Sequence, residues 1–359
     1  MKVQQKKQFS SFEKHSQKIF FFGSILVSFG ILFVTVGGSW DITNHLLNKP
    51  ETFFSLPHAL MYSGVAITLI GVAISFIGYR NLHHFKNIFS LPLRIKFLGI
   101  ALLTGAGPFD FVWHSNFGLD GLLSPPHFTL IIGMLFCSIG GMIGISRFLK
   151  LKSSKNFLLP YLLILGVLPV WLAGSGVISS LTLPFSNTDY FQFNPDETFA
   201  FVVATIAFPF LISFSALMAS KISNFKPGIV TILGGLFLLI YGMTAIGPNF
   251  SMLESAEFYA LNLIPFVISD LILSFGKSKR SSLLAGGILG SVFYMVYYPY
   301  VMYTYNEVLL GKLVSPSMIF HTYFEIMPQV IQFTIIPAII MGIIAVYVAN
   351  RFSKKISMY

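Results

Sequence analysis

Asp110 to His127, DFVWHSNFGLDGLLSPPH, and Asp41 to His58, DITNHLLNKPETFFSLPH, share the pattern D-x3-H-x12-H at a constant offset of 69 residues. Asp41 matches Asp110, His45 matches His114 and His58 matches His127. The register extends to Ser55/Ser124, Pro57/Pro126, Gly64/Gly133 and Gly71/Gly140. This is a duplicated unit. In each copy the first carboxylate and histidine are four residues apart, which on a helix places them on one face one turn from each other. The second histidine directly follows a proline suited to the first turn of a new helix. The end of one helix and the start of the next are therefore expected to converge on one point.

The surrounding composition fixes the setting of these units. The chain of 359 residues is 55% apolar, 16% aromatic and only 10% charged, more apolar than a soluble core requires. Segment after segment reaches about 20 apolar residues, the length that crosses a hydrocarbon core as a helix. Barrel-like alternation is absent. An all-α, polytopic transmembrane bundle is expected. Its ten helices fall over residues 18–40, 57–79, 92–114, 126–148, 157–183, 197–220, 228–247, 255–275, 282–304 and 316–349. Pro328 and Pro337 predict a kink or a break in the last. The run 19–36 is too long for a signal-peptide core and reads as a retained anchor.

Charge sets the expected orientation, because cytoplasmic loops collect Lys and Arg. Lys49 and Lys312 fall on the side of the motif loops, and the other 21 of the 23 basic residues fall on the opposite side. Lys96 is counted on that opposite rim. The chain is thus expected in the plasma membrane, with both termini cytoplasmic and both motif loops extracytoplasmic. The net charge of +10 is accounted for by a basic inner rim facing anionic headgroups of the lipid bilayer, with no nucleic-acid partner. Four regions follow: a basic tail (1–17), the duplicated motif region (18–155), a region of degenerate helix pairs (156–350) and a short cytoplasmic tail (351–359).

The helix-loop-helix unit continues weakly through the C-terminal region without its ligands. The later connections carry Asp189, Asp196 and Glu197, then Glu254 and Glu257, then Glu307 with Ser315-Pro316. His321 and Glu325 make one late i,i+4 pair, expected to satisfy itself by hydrogen bonding and not to form a third site. Gly140/Gly144 and Gly286/Gly290 give the small-xxx-small spacing of close helix approach. The lone Cys137 reads as packing. His15, His83 and His84 read as solvated.

Ionisable residues at the edge of spanning helices are costly and tend to mark a site. Two readings of the paired units stand side by side. In one, Asp41/His45/His58 and Asp110/His114/His127 are two transition-metal sites, with Asn44, Asn116 and Ser124 as outer hydrogen-bonding groups and Asp120 as a fourth ligand or a loop cap. In the other, each Asp-His pair is a proton relay or a polar clamp. Two imidazoles and a carboxylate suit Fe(II), Cu or Zn. The second unit is expected to bind more strongly, because its loop carries two glycines where the first has Lys49. Trp40, Phe109 and Trp113 stand beside the ligands as walls or interfacial anchors, with Trp40 read as an anchor.

The repeated D-x3-H followed by a third ligand a dozen residues later resembles the C-type subunit of copper membrane monooxygenases, the family of particulate methane and ammonia monooxygenases. The resemblance covers about residues 20–150. It implies copper at the two sites, oxygen activation at one of them, partner membrane proteins or a homo-oligomer, and a small apolar or uncharged substrate. The second unit begins with Asp110 where that family has an asparagine, and the chain is longer than its counterpart there. The competing class is a multi-pass transporter or metal-handling permease in which the same carboxylates bind and release. No P-loop, G-x-S-x-G, C-x-x-C or Rossmann glycine pattern occurs.

Overall fold

The structure, a computed structural model, describes residues 11–47, 49, 52, 54–118, 122–152, 158–183, 193–299, 301 and 322–357. Among these there are helices and no strands. The helices are α1 (Ser11–Leu46), α2 (Leu56–Arg80), α3 (Lys86–Phe117), α4 (Pro125–Leu151), α5 (Leu163–Ser180) and α6 (Glu197–Ile222). There follow α7 (Ile229–Ile246), α8 (Ala256–Leu261), α9 (Ile264–Gly276), α10 (Lys279–Pro299) and α11 (Met327–Ser357). With α8 and α9 forming one span, ten segments of the described chain are long and apolar enough to cross a membrane. This is a multi-pass membrane protein.

α1 has 36 residues and α3 has 32, so each is roughly 50 Å long at 1.5 Å per residue and outruns the ~30 Å hydrocarbon core. Each therefore extends past the core at one end or both. α11 runs uninterrupted through Pro337 to Ser357, and a π-helical turn, Thr322–Ile326, marks its start. The expected break at Pro328 or Pro337 does not occur. His321 lies outside the described residues, as do Asp120, Asp189, Glu307, Lys312 and Ser315-Pro316.

Glycine seams hold the motif helices in pairs. A methyl group on Gly30 would lie 2.6 Å from the Gly64 carbonyl oxygen, and one on Gly64 would lie 2.6 Å from that of Gly30. The second pair repeats this, Gly99 standing against the backbone of Cys137 and Gly133 against that of Leu103. The backbones touch, and only glycine permits it. In α1 the seam glycines recur as Gly23, Gly30 and Gly37, and in α2 as Gly64, Gly71 and Gly78. This spacing of seven keeps the seam facing its partner along a left-handed supercoil. The small-residue spacings at Gly140 and at Gly286/Gly290 also lie at close contacts, the latter against Gly342 and Ala338 of α11.

The two pairs are joined through polar groups in an apolar interior. Lys96 is not on the basic rim. It is fully buried, and its Nζ donates to Ser24 Oγ of α1 at 2.6 Å and Ser75 Oγ of α2 at 2.9 Å while standing 4.3 Å from the centre of the Phe20 ring. Charge counting placed it with its sequence neighbours, whereas a long apolar stem lets the amine reach hydroxyls across the bundle. Phe21 of α1 stacks on Phe148 of α4 at 4.1 Å. Glu13 accepts from the backbone N–H groups of His83 and His84 and from His84 Nδ1, pinning the start of α1 to the turn between α2 and α3. His84 is thus tied to a carboxylate and is not merely solvated. Cys137 is buried and free, as its packing role requires.

The C-terminal half has a larger core. Trp171 of α5 stacks on Phe237 of α7 at 3.9 Å, amid Phe266 of α9 and Phe293 of α10. Asp270 of α9 accepts from the backbone N–H and hydroxyl of Thr231, supplying in trans the cap that Gly228 lacks at the start of α7. Asp196 caps α6 directly, accepting from Phe199 N–H at 2.9 Å. The last helix packs against α6 as well as α10, so the helices of this half do not associate only in consecutive pairs.

Ser24 and Ser75 each also bond the carbonyl four residues back, so neither is orphaned when the lysine is removed. Lys96→Met is expected to fold with a melting temperature equal to or above wild type. The Ser24→Ala/Ser75→Ala pair, which strands the amine, is expected to cost about 1–3 kcal/mol. Thermal unfolding in detergent of the three proteins decides, and a Lys96→Met protein less stable than the double serine variant would contradict this account.

Candidate metal centre

Both motif units sit on the same frame. Asp41 and His45 occupy the last turns of α1, and His58 is the third residue of α2. Asp110 and His114 occupy the last turns of α3, and His127 is the third residue of α4. Ser55 and Ser124 stand at the two N-cap positions with nearly identical backbone angles, φ −55°, ψ 152° and φ −57°, ψ 150°, each followed by proline in the first turn. The extended conformation that serine and proline favour there turns the chain sharply into the next helix.

In the second unit three donor atoms meet. His114 Nε2 is 3.2 Å from Asp110 Oδ1, His127 Nε2 is 3.1 Å from the same oxygen, and the two Nε2 atoms are 3.4 Å apart. The three are the one group of ligand-type atoms, among the described residues, that gathers with all members within 4.8 Å. The near-equilateral triangle matches a face of a tetrahedral shell, since donors about 2.0–2.1 Å from a central ion stand roughly 3.3–3.4 Å apart.

Proton accounting strengthens the fit. His114 Nδ1 lies 2.8 Å from the Gly118 carbonyl oxygen, which only accepts, so Nδ1 holds the proton and neutral His114 presents a bare Nε2 lone pair to the triangle. Asp110 Oδ1 is buried and receives no hydrogen bond of good geometry although two imidazoles face it. The bare Nε2 of His114 and the Asp110 oxygen face each other, and a cation at the centre would satisfy both. The buried hydroxyl of Ser124, which caps no backbone group, also lacks a partner. Asn116 instead returns its amide to the Val112 carbonyl.

The first unit has the same residues and a more open arrangement. His58 Nε2 is 2.9 Å from Asp41 Oδ1, while His45 Nε2 is 3.5 Å from the other oxygen, Oδ2. The carboxylate is split between its two histidines. His58 Nδ1 donates to the Thr52 carbonyl, and Asp41 Oδ1 again lacks a well-formed hydrogen bond. The His45 side chain is 38% exposed against 22% for His114. Lys49 turns away from the ligands and donates to the Pro248 carbonyl at the end of α7.

Gly118 accounts for much of the difference. Its φ of 74° with ψ of −170° is a backbone conformation essentially reserved for glycine, and it aims the carbonyl at His114 Nδ1. The residue 69 positions earlier is Lys49, which has no access to that geometry. Motif spacing did not point to this role, although a glycine four residues after a ligand histidine is a signal that the sequence carries. Nor did it point to Tyr62, one turn beyond His58 on α2, whose ring centroid is 6.2 Å from that of His58.

The wall beside the second unit is aromatic. Trp113 meets Phe109 edge-on at 5.9 Å, Phe117 at 4.7 Å and Phe193 at 6.0 Å. Phe109, Phe111 and Val112 of the same helix are exposed. No protein-family model matches the chain, and no curated protein or solved structure matches it.

Because the Gly118 carbonyl orients His114, a metal held at the second unit is expected to be retained several-fold less well in Gly118→Ala while the helical signal stays unchanged. Metal analysis and circular dichroism of the purified variant test this. Unchanged retention would mean that the Gly118 carbonyl does not set the His114 ring.

Proposed function

We propose that the chain is an integral membrane metalloprotein that holds a transition metal at Asp110, His114 and His127, and that it acts as an oxidoreductase component similar to the C-type subunit of the copper membrane monooxygenases. The observation that carries this reading is the triangle of three donors with edges of 3.1, 3.2 and 3.4 Å around a buried, unsatisfied carboxylate oxygen. Two imidazoles and one carboxylate fit copper, iron and zinc, and the resemblance favours copper.

A copper ion bound there would supply one-electron chemistry and a site for dioxygen. The residues of the chain do the rest. Asp110 brings one negative charge to the centre and lowers the net charge of the loaded site. The Gly118 carbonyl fixes His114 in the tautomer that offers Nε2, the orienting role that outer hydrogen bonds play for metal-bound imidazoles. Trp113, Phe109 and Phe117 present apolar surface on the side facing lipid, so a small apolar or uncharged substrate dissolved in the bilayer reaches the site without crossing water. Asp41, His45 and His58 form the weaker neighbour, open enough to exchange its ion. Partner membrane proteins or a second copy belong to this reading, and tight retention through purification separates a resident cofactor from transported cargo.

Metal stoichiometry by mass spectrometry is the test. His114→Ala is expected to lose about one equivalent of metal, and His45→Ala is expected to lose much less. Folded wild type that stays metal-free after copper, iron and zinc have each been offered would defeat the proposal. Equal loss of a single metal in both variants would show one shared site.

Orientation belongs to the same proposal, with the motif loops outside and both termini cytoplasmic. A cysteine introduced at the exposed Phe54 is expected to react with an impermeant reagent in intact cells, and one at His83 is expected to stay unreacted. The reverse pattern would invert the topology.

A further inference from the structure

The C-terminal half contains polar groups that its packing leaves unsatisfied. Trp171 Nε1 and Ser175 Oγ on α5, Thr205 Oγ1 on α6 and Tyr298 Oη on α10 are all buried without a hydrogen-bond partner, and each residue is at most 5% exposed. Buried polar groups are overwhelmingly paired, and each orphan costs about 1–3 kcal/mol. Four close together in one core call for an occupant.

Their placement is specific. Tyr298 approaches Ser175, and Tyr294 approaches Thr205, closely enough to interact. Neither the Ser175 nor the Thr205 hydroxyl nor that of Tyr298 attains hydrogen-bonding geometry. Polar pairs that approach without meeting are the places where a bridging molecule sits. The walls are aromatic, with Phe208 4.0 Å from Tyr298 and Phe293 stacked on Tyr297 at 5.1 Å.

A second, independent feature points to the same place. α10 is π-helical over Leu289–Phe293, immediately before Tyr294 and Tyr298, and the π-helical turn Thr322–Ile326 lies beside it, with Tyr323 donating to the Val296 carbonyl. Single π turns inside α-helices re-aim the side chains that follow and occur often at functional sites. Here the residues that follow include Tyr298 of the unsatisfied set.

We propose that α5, α6 and α10 enclose a second binding site, separate from the metal centre, for a small uncharged molecule that both donates and accepts hydrogen bonds. The chemistry of the lining selects that class. The indole N–H of Trp171 only donates and requires an acceptor, whereas the hydroxyls of Ser175, Thr205 and Tyr298 serve either way. This set carries no carboxylate, amine or imidazole to hold an ion. In aqueous buffer without other small solutes the occupant is water, one to a few ordered molecules bridging Tyr298 to Ser175 and Tyr294 to Thr205.

Radiolytic hydroxyl-radical footprinting of the full-length protein in nanodiscs tests this, because bound water generates radicals in place and marks residues that bulk solvent does not reach. After correction for intrinsic reactivity, Trp171 and Tyr298 are expected to oxidise several-fold faster than Phe20 and Phe89, which are equally buried in the N-terminal half and pack ring to ring at 4.6 Å. A Trp40→Phe/Trp113→Phe protein, which keeps Trp171 as the last of three tryptophans, is expected to emit to the red of a dry indole and to shift blue when Tyr298→Phe and Ser175→Ala are added. Oxidation of Trp171 and Tyr298 no faster than Phe20 and Phe89, together with blue emission from Trp171 in the otherwise native core, would overturn the proposal.

Discussion

The backbone contact at the glycine seams is the constraint on which the rest of the motif region depends. In a bilayer the apolar side chains gain little by leaving lipid for a helix interface, so helices associate through close packing. Gly30 against Gly64 and Gly99 against Gly133 let two backbones touch, and any side chain there would separate them. Separation at the seam would be carried to the helix ends. Asp110 and His114 ride on one member of a seam and His127 on the other, so donor atoms 3.1 to 3.4 Å apart tolerate no such shift. The geometry at the helix ends is set by a contact along the length of the helices.

What could be read from the residues, and what could not, follows from the range of each interaction. The spanning helices were legible because about 20 apolar residues are a local property, and the two Asp-His-His sets were legible because duplication repeats them in register. The seam was only half legible. Gly64/Gly133 and Gly71/Gly140 stand out in the repeat and Gly30 and Gly99 share its 69-residue offset, but which glycine meets which emerges only from packing. Lys96 was misplaced for a related reason. Counting basic residues assigns every lysine to a rim, and nothing near Lys96 in sequence announces Ser24 and Ser75, which lie 72 and 21 residues away. The two π turns have no signature in composition or spacing.

Buried polar groups are satisfied locally in some parts of the bundle and left without a partner in others. In the N-terminal half the hydroxyls of Ser24, Thr68 and Ser75 return to the carbonyl four residues back, and the buried amine of Lys96 finds two of them. In the C-terminal half Trp171 and Tyr298 reach no partner, and an indole or phenol is too long to turn back onto its own helix as serine does. Large aromatics fill space and still carry a polar tip. Where large rings fill the core, their polar tips are the groups left without a partner.

The two motif units show how little a ligand list determines. Both present one carboxylate and two imidazoles at equal spacing, on helices that end and begin alike. In the second, a glycine in a conformation closed to other residues brings a carbonyl to His114 Nδ1, and all three donors meet at one carboxylate oxygen. In the first, that position is Lys49, drawn to Pro248 of another helix, and the carboxylate is shared out between its two histidines through different oxygens. A compact triangle arises where the atom behind the ligand is also fixed. A looser one arises where it is not, so the geometry of each unit is decided less by its three side chains than by the backbone that turns them.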